Sequence, residues 1–146
     1  MELKELVELW KEDCIIDDTE LGYESTRIPN LHAKYLGIFS EERMKLRSLQ
    51  IKKKKTYQWL SDYYRGDLNN PEDLKRINRQ PWAKTVLRGD IAEYVSSDDE
   101  MLILSSKIGA IEEKITVLEN VLKAINNRGF QIKSAIDWHR LTNFGG

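Results

Sequence analysis

At 146 residues, with 23 basic side chains against 24 acidic ones and 40% apolar residues, the chain reads as a single folded, heavily solvated domain rather than a disordered one. No apolar run approaches the roughly 18 to 20 residues of a membrane span. The start Met1-Glu2-Leu3-Lys4-Glu5 lacks a secretory pattern, and Cys14 has no second cysteine to pair with.

The near-neutral total hides an asymmetry. Residues 1–30 carry nine acids against three bases, and residues 31–65 carry nine bases against three acids. Such a chain can bind a polyanion locally and still offer acidic surface to proteins. Leu3, Leu6, Val7 and Trp10 recur at i, i+3, i+4 and i+7, which predicts a short amphipathic helix over 2–13. Residues 14–20 then turn the chain, with Cys14 beside Ile15 and Ile16 expected to be a small core residue. Asp17 or Asp18 is a good N-cap for a helix from about Thr19, which Pro29 is expected to kink or restart. From Leu31 to Tyr64 only Gly37 weakens the helix, so a rod of roughly 50 Å is expected, too long to bury itself without a partner. His32 on this rod is expected to be a half-buried packing residue.

The rod carries the basic block. On a helical wheel Lys45, Lys52, Lys55, Trp59 and Tyr63 share one stripe. Phe39, Leu46, Leu49, Tyr57, Leu60 and Tyr64 form the apolar stripe beside it, with Tyr57 and Tyr64 expected in the core. Ammonium groups followed by flat rings suit single-stranded nucleic acid, whose phosphates take charge and whose bases stack. The candidate nucleic-acid residues are Arg43, Lys45, Arg47, Lys52, Lys53, Lys54, Lys55 and Arg65, with Trp59 and Tyr63 for stacking. The plainer alternative is a solvated helix face beside an aromatic core.

Residues 66–96 read as an irregular connector. Gly66 to Pro71 is a turn cluster, and Gln80-Pro81 and Arg88-Gly89-Asp90 are further breaks. Segments 84–87 and 91–95 are expected to be short and extended. From Ser97, which forms a capping-box pattern with Glu100, the C-terminal region 97–146 takes over. Met101, Leu104, Ile108, Ile111, Ile115, Leu118, Leu122 and Ile125 follow with alternating spacings of three and four, a sustained 3.5-residue repeat. Ile103, Ala110, Val117 and Ala124 add a second stripe, so part of the arc is expected to pack on the long helix and part on another subunit. Leu104, Ile108, Ile111, Ile115, Leu118, Leu122 and Ile125 are the candidate oligomerisation residues. An intramolecular hairpin alone is the competing explanation. Residues 126–129 are expected to end or hinge the helix before a short tail helix holding Phe130, Ile132, Ala135, Ile136, Trp138 and Leu141. The fold class is therefore mainly α: a long helical hairpin with a coiled-coil-like C-terminal helix.

No catalytic constellation is visible. His32 and His139 stand alone, phosphate-binding glycine loops are absent, and one cysteine rules out a zinc cluster. Acids 17, 18 and 20 and acids 98–100 are accounted for as helix-start residues, so no metal and no cofactor is expected. The chain resembles the UvsY-type recombination mediator proteins of T-even-type bacteriophages. The similarity begins at Leu3 and Leu6, is clear over residues 17–24, and continues through Leu31, Lys34 and Leu36 to Lys53-Lys54 and Asp62-Tyr63-Tyr64. It returns at 84–87 and at 128–133, with residues 66–82 unaligned. The resemblance implies a helical homo-oligomer, a ring or open barrel of six or seven subunits, acting in the host cytoplasm without enzymatic activity. Its implied partners are single-stranded DNA, the phage RecA-like recombinase and the phage single-strand-binding protein, and its implied role is loading the recombinase in recombination, repair and replication. One departure matters: the family's DNA-binding basic residues fall at positions matching Gln58 and Leu60, which carry no charge here. Either the site has moved one to two turns toward residues 52–55, which is the preferred explanation, or those two positions are not required in this member. The rival class is a coiled-coil scaffolding protein with no nucleic-acid role.

Overall fold

The computed structural model describes residues 1–144; Gly145 and Gly146, the last two residues of the C-terminal region, lie outside the described residues. Five α-helices and one 3₁₀ turn follow in order: α1 Leu3–Asp13, α2 Leu21–Arg65, α3 Pro71–Arg76, the 3₁₀ turn Arg88–Asp90, α4 Ile91–Ser97 and α5 Asp99–Phe144. Among the described residues there is no strand, and no helix is long and apolar enough to cross a membrane. The fold is mainly α, as the periodicity predicts. The chain gathers into two compact units, one of residues 1–44 and 110–146, the other of residues 45–109.

In the first unit, α1 and the first part of α2 pack on α5. Leu6, Leu31, Tyr35, Leu118, Val121 and Ile125 form its buried core, with Trp10 edge-on to Tyr35 at 5.3 Å. Two ion pairs set the direction of packing. Glu24 meets Arg128 at 2.8 Å and Glu42 meets Lys114 at 3.0 Å, so α2 and α5 run antiparallel. Arg128 is buried, and its guanidinium also donates to the backbone carbonyls of Asp13, Cys14 and Ile15. Those carbonyls lie at the C-terminal end of α1, where helical partners run out and the helix dipole favours a cation. Asp13, the last residue of α1, accepts from Lys34 at 2.6 Å and from the Tyr35 hydroxyl at 2.8 Å. Burial pushes the Asp13 carboxyl up, but these hydrogen bonds and the Lys34 and Arg27 charges outweigh it and hold it below the usual range.

Several expectations are corrected here. Cys14 is exposed, not core, and its thiol donates to the Lys11 carbonyl at 3.3 Å. The chain leaves α1 along Arg128 rather than through the apolar core, which leaves Ile15 outside as well. Pro29 does not break α2, although its ring removes a hydrogen bond, because Glu24, Leu31 and Tyr35 on either side are all buried. Nor does α5 end at 126–129: Ile125, Arg128 and Ile132 are buried on one face across that stretch, which outweighs the roughly 1 kcal/mol cost of a helical Gly.

In the second unit, the end of α2 is covered by α3, α4 and the start of α5. Leu60, Tyr63, Tyr64, Leu74, Ile91, Val95 and Met101 form the core, lined by Trp59, Leu68, Ile77, Trp82 and Val86. Gly66 stops α2 with φ +83°, its N–H bonding Tyr63 while that of Asp67 bonds Asp62, the paired closure that a left-handed residue permits. Residues 66–96 are thus more ordered than a connector. Asn70 caps α3, its side chain accepting from the Glu72 N–H, with Pro71 in the first turn. Residues 91–95 are helical, not extended, because Ile91 and Val95 lie four apart and both enter the core. Residues 84–87 are irregular and not a strand. The α5 cap is Asp98 rather than Ser97: Asp98 is extended and its carboxylate accepts from the Glu100 N–H at 2.9 Å.

Candidate nucleic-acid interface

The second half of α2 sorts its side chains by depth. Leu60 is wholly buried, Ser61 and Thr56 are buried beside it, and Tyr64 sends its hydroxyl 2.6 Å to the Asp98 carboxylate. Burial, reinforced by that carboxylate, pushes the Tyr64 phenol up to about 12. Asp98 also takes two hydrogen bonds of 2.7 Å from the Arg79 guanidinium. Burial raises the Asp98 carboxyl, but the bonds from Arg79, Tyr64 and Glu100 prevail and hold it below its ordinary value. Arg79 in turn lies over the rings of Trp59 and Tyr63, 5.1 and 5.0 Å from their centroids.

This arrangement changes the roles of the aromatic residues. Tyr63 cannot stack with bases: it is only 6% exposed, and its hydroxyl donates to the Gln80 carbonyl at 2.7 Å. Trp59 is half-buried and has Arg79 over its ring. Tyr57, expected in the core, is instead 44% exposed and is the accessible ring of this segment. The reason is phase: α3, α4 and the start of α5 cover the side of α2 that holds Leu60, Tyr63 and Tyr64, and Tyr57 falls outside that arc.

The cations stand clear of the core. Arg43, Lys45, Arg47, Lys52, Lys53, Lys54, Lys55 and Arg65 are all exposed. Arg43 lies over the Phe39 ring at 5.5 Å. Arg65 pairs with Asp62 and, at 3.5 Å, with Asp67, so its charge is largely offset. Arg47 and Lys52 to Lys55 make no ion pair among the described residues. Four consecutive lysines sweep some 300° around a helix, so they present positive charge to most of its circumference rather than to one face. Leu60, at one of the two departures noted above, is a core residue and cannot hold a phosphate. Gln58, at the other, is exposed, its amide 3.4 Å from Asp62.

The α5 seam turns inward. Leu104, Ile108, Ile111, Leu118 and Ile125 are buried within the chain, and Ile115 and Leu122 are half-buried. The large apolar side chains α5 offers outward are Leu102, Ile103, Phe130, Trp138 and Leu141. Two basic residues of this unit carry little signal in the sequence: Arg79 lies in a loop without a pattern, and Arg88 reads only as part of an Arg-Gly-Asp turn. Among the described residues no group of three His, Cys, Asp or Glu side chains is placed to hold a metal.

The family model described as "Recombination, repair and ssDNA binding protein UvsY" matches residues 9–145. The chain is similar to crystal structures of the bacteriophage T4 recombination mediator protein UvsY. One, in lattice type IV, superposes with a TM-score of 0.85 at 24% identity, over 97% of this chain and 99% of that one. Another, in lattice type II, gives 0.80 at 24% identity over 98% of each chain. A comparison with curated protein sequences finds no match.

Proposed function

The chain belongs to the UvsY family of recombination, repair and single-stranded-DNA-binding proteins, and from that premise we propose that it is a non-enzymatic recombination mediator. It binds single-stranded DNA and helps a RecA-like recombinase load where single-strand-binding protein covers the strand, in the cytoplasm of a phage-infected host. The observation that carries this reading is the unpaired, exposed run Lys52 to Lys55 on a helix anchored at one end by a dense aromatic core. Phosphates supply most of the affinity, so the strand needs no single fixed geometry on the lysines. Trp59 contributes at most its free face.

Replacing Lys52, Lys53, Lys54 and Lys55 together with alanine should weaken oligo-dT binding by tenfold or more at low salt. Helical content and assembled mass should stay unchanged, since all four side chains are exposed. Wild-type affinity in that variant would reduce the run to solvated surface and favour a scaffolding role.

The protein acts as a ring or open barrel of six or seven subunits, in which each weak patch is multiplied. Because most of the heptad seam is consumed within the chain, the contact surface consists of Phe130, Trp138 and Leu141, with Ile115 and Leu122 at the seam's margin. Phe130→Ser with Trp138→Ser should lower the mass seen by light scattering while leaving the helical signal intact. An unaltered mass would move the contact elsewhere. Leu118→Asp is the wrong probe, because that side chain is fully buried and its replacement would unfold the chain.

A further inference from the structure

A groove on the α4 side of α2 lies apart from the lysine run. Tyr57, Ser61 and Arg65 of α2 line it together with Arg88 of the 3₁₀ turn and Ile91 of α4, around about 320 Å³. Ser61 and Ile91 are buried and form its base, whereas Tyr57 is exposed. Arg65 is offset by Asp62 and Asp67, but Arg88 is exposed and makes no ion pair among the described residues. The Arg-Gly-Asp turn therefore brings one uncompensated guanidinium to a groove that also holds an accessible ring.

We propose that this groove holds one nucleotide of single-stranded DNA, its base against the Tyr57 ring and its phosphate on Arg88. The proposal rests on the single-stranded-DNA reading and extends it to residues outside the lysine run. A guanidinium presents a planar fork of donors that matches phosphate oxygens. A phenol ring stacks with any base, which suits sequence-independent binding. Lys53 and Lys54 precede Tyr57 by four and three residues, so they lie one helical turn away on the same side and continue the path for the backbone. A carboxylate ligand would satisfy Arg88 but leave the exposed Tyr57 ring uncovered, which is why a nucleotide fits better than an acidic peptide.

The test uses the full chain and two labelled strands of equal length, oligo-dT and an abasic oligomer, titrated by anisotropy over a range of salt. Tyr57→Ala should weaken oligo-dT binding about five- to a hundredfold and leave the abasic strand unaffected. Arg88→Ala should weaken both strands and reduce the log–log salt slope by about 0.7, and Arg88→Lys should restore the slope. Both residues are exposed, and an unchanged circular-dichroism signal verifies folding. If both variants bind oligo-dT like the wild type while alanines at Lys52 to Lys55 weaken it, the groove is overturned and the mediator reading stands. A wild-type chain that binds neither strand removes that reading itself.

Discussion

Asp98→Ala should cost about 3 kcal/mol, the low end of the range for breaking a buried ion pair, because the Arg79 side chain left unmatched is 18% exposed. Three groups lose their acceptor at once: the Arg79 guanidinium, the Tyr64 hydroxyl and the first-turn N–H of Glu100. Arg79 would retain the rings of Trp59 and Tyr63 and the neighbouring Tyr64 side chain, none of which neutralises its charge. Against a typical total of about 5–15 kcal/mol, such a loss is a large fraction of the stability. Urea unfolding at fixed protein concentration measures it, and a change within about 0.5 kcal/mol would mean that the network contributes little. The pH dependence carries a sign. Asp98 is held below its ordinary value, so its contribution is complete above the unfolded carboxylate pKa of about 3.9 and is lost as pH falls through the lower folded value. Asp98→Ala should therefore unfold with a flatter acid limb than the wild type.

Arg128→Met should be at least as severe, about 3–5 kcal/mol, because both members of this pair are buried and Glu24 is left with a smaller share of its charge matched. Arg27 remains to Glu24 at 3.2 Å, but the carbonyls of Asp13, Cys14 and Ile15 lose the donor that ties the end of α1 to α5. The effect should be felt first at α1, as faster amide exchange over residues 3–13. Adding Glu24→Gln to Arg128→Met removes the uncompensated charge and should recover about 1 kcal/mol or more. A double variant no better than the single one would assign the loss to the carbonyl contacts alone.

The long helices were legible because each carries its information locally. The α1 spacing, the uninterrupted run through α2 and the heptads of α5 all mark one face. What the wheel does not reveal is which side of that face is covered, and by what. Lys52 and Tyr63 lie within about 20° of each other on α2, yet one is solvated and the other buried, because the core closes over Tyr63 while Lys52 lines an open groove beside the start of α5. The same blindness places Tyr57 inside and Tyr63 outside, and it does not separate the α5 residues that pack within the chain from those left to a neighbour. Arg79 and Arg128 could not be found by pattern at all. Basic residues read as surface unless the acid that buries them is known, and Asp98 and Glu24 lie 19 and 104 residues away in sequence. Pro29 and Gly129 misled for a related reason: local penalties of about 1–3 kcal/mol are small beside a continuous buried face.

The central claim is that exposed lysines on α2 hold the phosphates of single-stranded DNA. The most direct measurement is the salt dependence of oligo-dT affinity, compared between the wild type and the chain with alanine at Lys52, Lys53, Lys54 and Lys55. If each lysine neutralises one phosphate, the log–log slope should become shallower by about 0.7 for each, or nearly 3 in total. Parallel lines for the two proteins, or an affinity indifferent to salt, would contradict the account.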